Sequence, residues 1–493
     1  MTTNFNWWID GSIVLLFLIA SIGLGLAMRK YVRNVSDFLL AGRKVDLYLG
    51  IASLSATEFG IATCMSNAQL GYKYGLAGIT PGLALTFAML VIGLTGFCIK
   101  PLRDHAVITV PELFEKKFGK KVRWASGLVI VLGGLLNMGV FLRQAGDFLA
   151  IVCGFDPSYL EAIMTALLLG IALYTILGGM LSVLITDYLQ FVVMSIGLIA
   201  VVGLLFVQFG WTPLLQTAQR ELGDGAFNPF VNGQYGWDRV VLDLFVAFAS
   251  ILTWQTMITR VLAAKDTQTG QRIYVGTSPF FLVRFVVPAI LGLAALHLYG
   301  AGAFSGAESA LAMPSMIAQV VPIGLIGLLA AAMLAADMST NSSYMLAWSS
   351  VIYNDIMEPI HQNKWPEKRG LYWNRMLIAG IGAFLLLYGL WYPLKGDLWV
   401  YLQITGTIYL ASMTTILIAA AYWKAANNWG AIAAIIVGSI IPSAFLIMEQ
   451  LESTRHWTEA VGPYKTGIAA YLLTGLAMVV GSGLKRWIKN NTR

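Results

Sequence analysis

Six polar side chains interrupt an otherwise apolar run in IGLLAAAMLAADMSTNSSYMLAWSSVIY: Asp337, Ser339, Thr340, Asn341, Ser342 and Ser343. On a helix, residues three and four apart share a face, so the hydroxyls of Ser339, Ser342 and Ser343 point the same way, with Thr340 one step round. Hydroxyls offer lone pairs without charge, which suits a hard cation that must bind and then leave. Such a site is completed by backbone carbonyls freed where a second helix breaks. The stretch GIASLSATEFGIAT (50–63) fits that part: Gly50 and Gly60 bracket three small hydroxyl residues and the acid Glu58. Serine and threonine in membrane helices also bond their own i−4 carbonyls or let helices approach closely. Spacing alone therefore leaves a cation site and a packing role both open.

The elements that must position these residues are membrane helices. The chain of 493 residues has 12% charged residues and a mean hydropathy of +0.72, against about 25% charged in soluble domains. Apolar runs long enough to cross a core about 30 Å thick recur along its length. They lie near 7–28, 45–70, 77–99, 122–153, 158–178, 182–209, 238–263, 270–300, 322–354, 371–391, 396–423, 429–449 and 464–484, about 13 helices in all. The polar gaps 100–124 and 208–238 read as loops. The first run is too long for a signal h-region and is followed by MRKYVR, a stop-transfer pattern.

Most of the 32 Lys and Arg fall on one side, among them Arg29, Lys30, Arg33, Arg43 and Lys44. Six fall on the other: Lys73, Arg220, Arg239, Lys395, Arg455 and Lys465. The positive-inside rule then places the N-terminus outside and the C-terminus inside. The net charge of +7 follows from these loops and does not form a nucleic-acid patch. Cys64, Cys98 and Cys153 sit in or at apolar segments and read as packing residues. Arg143, Arg284, Glu58, Asp147, Asp187, Asp243 and Asp337 fall within helices. Intramembrane charges are costly and face a partner or a cavity, so a polar interior is expected. His105, His297, His361 and His456 are isolated, which argues against a hydrolase or a metalloenzyme; no enzyme and no cofactor beyond coupling ions are expected.

Six segments, in order, resemble the sodium:solute symporter family: SDFLLAGRKV (36–45), TVPELFEKKFGKKV (109–122), LYTILGGMLSVLITDYLQ (173–190), TRVLAAKD (259–266), AADMSTNSSYMLAWSSVIYNDI (335–356) and WGAIAAIIVG (429–438). The resemblance implies an all-α membrane protein with a LeuT-like core of two inverted five-helix repeats, 45–209 and 238–423. One extra helix and an inner loop precede it (1–44) and two helices follow (424–493). It implies that the broken helices of the two repeats meet at the midplane.

It further implies a first sodium site made by the hydroxyls of Ser339 and Thr340 and the carbonyls of Ile51, Leu54 and Ala336. Some members hold a second sodium, which here corresponds to Asp187, Ser342 and Ser343. The candidate solute residues are Glu58, Arg143, Trp254, Gln255 and Arg284. Glu58 replaces the amide that follows the break in the family's sugar carriers, and Ser53 stands where its proline carriers have an essential Asp. TWQTMITRVLAAKD (253–266) is closer to the choline-type members, and an aromatic such as Trp254 can face a cationic amine. An amine or zwitterion is the expected solute, with a sugar, or proton coupling on the same fold, as alternatives. The expected partners are sodium ions, that small solute and the lipid bilayer of a cell membrane, a bacterial inner membrane, with the protein working as a monomer.

Overall fold

A computed structural model of the chain describes residues 3–32, 34–105, 107–360, 365–392 and 397–491. Arg33, His361 and Lys395, used above, lie outside them. The described residues are helical throughout, without a strand. Among the described residues, eleven helices are long and apolar enough to cross a membrane. Two of these, Ile61–Thr95 and Pro157–Gln208, each take in more than one of the apolar runs of the sequence. The first is divided by the turn Gly75–Ile79.

The second contains the helix Leu160–Gln208, 49 residues, which if straight would reach about 74 Å at 1.5 Å per residue, more than twice a bilayer core. It turns at Gly179, with φ 53° and ψ −150°. A Cβ there would lie 2.6 Å from the Phe38 ring and carbonyl oxygen, so only glycine fits both the backbone angle and the space.

Two helices break at depth. Leu47–Thr57, capped at its start by the Asp46 side chain, ends at Glu58, and Ile61–Tyr74 resumes after Gly60. Gly236–Thr253 gives way to Gln255–Ala263 across Trp254, whose φ −66° and ψ 114° are extended. Each break frees backbone groups that a continuous helix would pair. Lys120–Met138 and Phe141–Cys153 are likewise separate helices where the hydropathy shows one run.

The serine-rich helix Leu325–Val351 packs most extensively on Leu160–Gln208 and also meets Leu47–Thr57. Ile61–Tyr74 and Thr267–Tyr299 approach backbone to backbone. A Cβ on Gly71 would stand 2.4 Å from the Ala289 carbonyl oxygen, and one on Gly292 2.0 Å from that of Ala68. Small residues at such a seam let membrane helices gain dispersion contact that lipid cannot replace.

One expectation is corrected. The gaps 100–124 and 208–238 are not plain loops: they hold the helices Val110–Phe118 and Trp211–Leu222. In the first, Val110, Leu113, Phe114 and Phe118 are buried while Lys116 and Lys117 carry the polar side, an amphipathic period too short to register as a span. Arg239, grouped above with outer residues, is fully buried, its guanidinium 4.2 Å from the Tyr235 ring centre and 4.7 Å from that of Tyr74.

Candidate functional site

The serine-rich helix delivers its hydroxyls into a buried network centred on Asp187. Ser339 Oγ donates to Asp187 Oδ1 at 2.6 Å, and Ser53 Oγ donates to Oδ2 at 2.5 Å. Thr340 Oγ1 donates to the carbonyl of Thr57 at 2.8 Å, the last residue before the first break. Gly60 makes that approach feasible, since a Cβ there would sit 2.8 Å from Thr340 Oγ1.

Ser343 Oγ lies 3.0 Å from Thr57 Oγ1. Ser342 Oγ donates instead to the Ser339 carbonyl at 3.1 Å, and Asn341 Nδ2 to that of Asp337 at 3.1 Å. Ile51 and Leu54 lie on the last turns before the break, and the Leu54 carbonyl accepts the Glu58 N–H at 3.3 Å. Ala336 lies one turn before Thr340 and is fully buried.

A cation already stands in this network. Arg260 is 1% exposed, and its Nη2 reaches Thr57 Oγ1 at 2.7 Å, Asp187 Oδ2 at 3.4 Å and the Ser343 hydroxyl. Its Nε donates to Ser53 Oγ at 3.3 Å. Burying the carboxylate of Asp187 would cost several kcal/mol without such a partner. The sequence reading gave Arg260 no place in a site; the signal was an acid at membrane depth, Asp187, with no counter-ion assigned.

The two breaks meet at Glu58. Its Oε1 accepts Thr256 Oγ1 at 2.6 Å from just beyond the second break, and Tyr344 OH donates to Oε2 at 3.4 Å. Arg284 Nη1 stands 3.8 Å from Oε2, and its Nε and Nη1 have no hydrogen-bond partner among the described residues. Trp254 Nε1 donates to Tyr344 OH at 3.0 Å. Glu58, Trp254, Arg284, Tyr344, Phe141 and Asn137 are among the residues lining a cavity of about 70 Å³. That is small beside the 300–1,000 Å³ or so of ligand pockets, so the site is contracted around its polar groups.

Gln255 is buried close by in sequence, and neither its Oε1 nor its Nε2 has a hydrogen-bond partner among the described residues. Arg143 is not brought to this cavity. It pairs with Asp147 one turn on at 3.2 Å and lines a separate cavity with Glu308 and Tyr392. Its helix begins anew at Phe141, which lines the central cavity, whereas Arg143 does not. Tyr344 and Thr256 were missed because common residue types carry no charge signal.

The sodium:solute symporter family profile matches residues 38–438. The chain belongs to the sodium:solute symporter family. Its relatives in that family include sodium/glucose cotransporter 4 of Danio rerio, 27% identical over 489 residues, covering 90% of this chain and 72% of that one. The osmoregulated proline transporter OpuE of Bacillus subtilis (strain 168) is 25% identical over 459 residues, covering 86% of each.

Among solved structures, a Na+-coupled sialic acid symporter in a substrate-bound outward-open state superposes with a TM-score of 0.82 at 19% identity, covering 97% of both chains. That similarity shows the LeuT-like fold. As a member of this family, the chain is a multi-pass membrane transporter.

Proposed function

We propose that this symporter couples sodium entry to import of a small zwitterionic or amine-bearing solute by alternating access across a cell membrane, a bacterial inner membrane, with its N-terminus outside. The observation that carries the solute class is the opposed pair Glu58 and Arg284, 3.8 Å apart in one cavity. An ammonium group satisfies Glu58, a carboxylate takes the unpartnered Arg284 donors, and Trp254 offers a ring face to a cationic head.

One sodium ion is held by the Ser339 and Thr340 hydroxyls and the carbonyls of Ile51, Leu54 and Ala336. For Asp187, Ser342 and Ser343 to hold a second, the Arg260 guanidinium must leave Ser343. The repeats 45–209 and 238–423 supply the moving halves. A neutral sugar is the second reading, favoured by relatives named as sodium/glucose cotransporters and by the capacity of both charged groups to bond hydroxyls.

The test is uptake into proteoliposomes under sodium or potassium gradients, against amino acids, betaines, sugars and carboxylates. Sodium-dependent uptake of an amine or zwitterion is expected, reduced about tenfold or more in Glu58→Gln, where a charge-assisted contact is lost. Ser339→Ala or Thr340→Ala should raise the half-saturating sodium concentration several-fold. Uptake confined to sugars would establish the second reading, and amine uptake undiminished by Glu58→Gln would remove Glu58 from the solute contacts. Sodium-independent uptake would remove both.

A further inference from the structure

The first helix, Asp10–Ala27, stands outside the two repeats, and none of the sodium or solute residues named above lies on it. Its first residue is an acid, and it is fully buried. Asp10 Oδ1 accepts the N–H of Gly324 at 2.7 Å and that of Gly327 at 2.9 Å, while Oδ2 accepts the Asn6 N–H at 2.7 Å. Gly324 directly precedes the serine-rich helix Leu325–Val351, and Gly327 is the third residue of that helix. These are the two donors that a helix usually covers with side chains of its own, at the cap and third positions. In PIGLIGLL (322–329) both positions are glycine and offer no side chain. A Cβ on Gly327 would stand 2.5 Å from Asp10 Cα, so the missing side chains also leave the room into which Asp10 fits.

The segment ahead of Asp10 is laced to the same end. Asn4 N donates to the Ala318 carbonyl at 2.9 Å, and Asn4 Nδ2 to those of Gln319 and Val321 at 2.8 and 3.2 Å. Further along the first helix, Ser21 Oγ accepts Gln190 Nε2 at 3.1 Å, and the Gly25 carbonyl accepts Ser182 Oγ at 2.8 Å. Ser182 and Gln190 flank Asp187 on its helix. Tyr174, against which Gly25 packs, donates from its OH to the Met338 carbonyl at 3.0 Å, one residue before Ser339. The first helix is thus fastened both to the start of the serine-rich helix and to the helix behind it. Gly327 and Ser339 are about 18 Å apart along a helix axis, and a helix paired throughout carries a shift of its end along its length. Where the first turn is held therefore decides where Ser339 and Thr340 stand against Asp187 and the Thr57 carbonyl.

We propose that Asp10 is a positioning residue for sodium binding: it caps the serine-rich helix from outside the repeats and fixes the height at which that helix presents its hydroxyls. Its effect is read at Ser339 and Thr340, so this role rests on the sodium site proposed above. The carboxylate lies at the positive end of the helix dipole, which favours it there. Without the cap the first turn loses two bonds at once and is free to fray and settle along its axis. The ligands then bind sodium only in the fraction of molecules whose helix has returned to register, and affinity falls by that fraction.

Equilibrium binding of radioactive sodium to the purified full-length protein in nanodiscs, with potassium holding the ionic strength constant, tests this without any solute. Asp10→Ala should raise the half-saturating sodium concentration about fivefold, the size of a lost helix cap, while the number of sites per folded protein stays the same. Asp10→Asn should remain within about twofold of the unaltered protein, because its amide oxygen still accepts both N–H groups. Should Asp10→Ala not fold, Gly327→Ala makes the same test, since its Cβ pushes Asp10 aside. Thr340→Ala, which removes a ligand, should raise the half-saturating concentration as well. A rise in Thr340→Ala with none in Asp10→Ala or Gly327→Ala overturns the role of Asp10 and leaves the sodium site standing. Fewer sites at an unchanged half-saturating concentration would make Asp10 a stability residue alone, which also overturns it. No rise in Thr340→Ala removes the sodium ligands proposed above, and the role of Asp10 with them.

Discussion

Asp187 and Arg260 show how one buried pair is shared by several helices. Their contacts join Leu47–Thr57, Leu160–Gln208, Gln255–Ala263 and the serine-rich helix through Ser53, Thr57, Ser339 and Ser343. Removing one partner of a buried ion pair strands the other charge, at about 3–5 kcal/mol, whereas removing both costs far less. Arg260→Gln is therefore expected to lower thermal stability strongly, and Asp187→Asn/Arg260→Gln to recover much of that loss. Unfolding curves of the double variant and of both single variants, Arg260→Gln and Asp187→Asn, decide it; losses that simply add would mean the groups are not paired in the folded protein. The hydroxyl cluster was legible because six polar residues in a membrane helix break its composition. Arg260 was not: an arginine close to the end of a run looks like any positive loop residue until packing places it.

At the scale of elements, the apolar runs were legible because length and hydropathy are all that a lipid environment asks of a spanning helix. The breaks were less so. The break at Glu58 was foreshadowed by Gly50, Gly60 and an acid within GIASLSATEFGIAT. Trp254 leaves helical angles with no glycine or proline beside it, and the second break was expected only from the family resemblance. The short helices Val110–Phe118 and Trp211–Leu222 were read as loops because they lie along polar stretches.

The turn at Gly179 yields a direct prediction. Its φ and ψ lie where essentially only glycine rests, and other residues pay about 1–3 kcal/mol, to which contact with Phe38 adds. Gly179→Ala should lower the melting temperature measurably while leaving helix content by circular dichroism unchanged. A melting temperature equal to that of the unaltered protein would mean that the chain does not turn at this residue.

For the whole molecule, polar contacts fasten both ends of the bundle. At one end Lys73 Nζ meets Asp397 Oδ1 at 2.5 Å, and Tyr74 OH donates to Asp397 Oδ2 at 3.0 Å. At the other, Arg123 bridges Glu115 at 2.6 Å and Asp355 at 2.9 Å. If the protein works by alternating access, opening either end would break one set while the other holds. Lys73→Gln should therefore expose the central cavity on its own side: a cysteine placed at Trp399 should react several-fold faster with an impermeant thiol reagent added there. Arg123→Gln should slow that reaction, and rates unchanged in both would show that these contacts do not hold the ends shut.

The seam at Gly71, Ala289, Gly292 and Ala68 limits how such opening can happen. With main chains in contact and no side chain between them, Ile61–Tyr74 and Thr267–Tyr299 have no slack in which to slide. Packed this way they make a single lever: a tilt of the segment beyond Glu58 would be carried into the helix that bears Arg284, and would move that guanidinium relative to Glu58, which sits on the other side of the break.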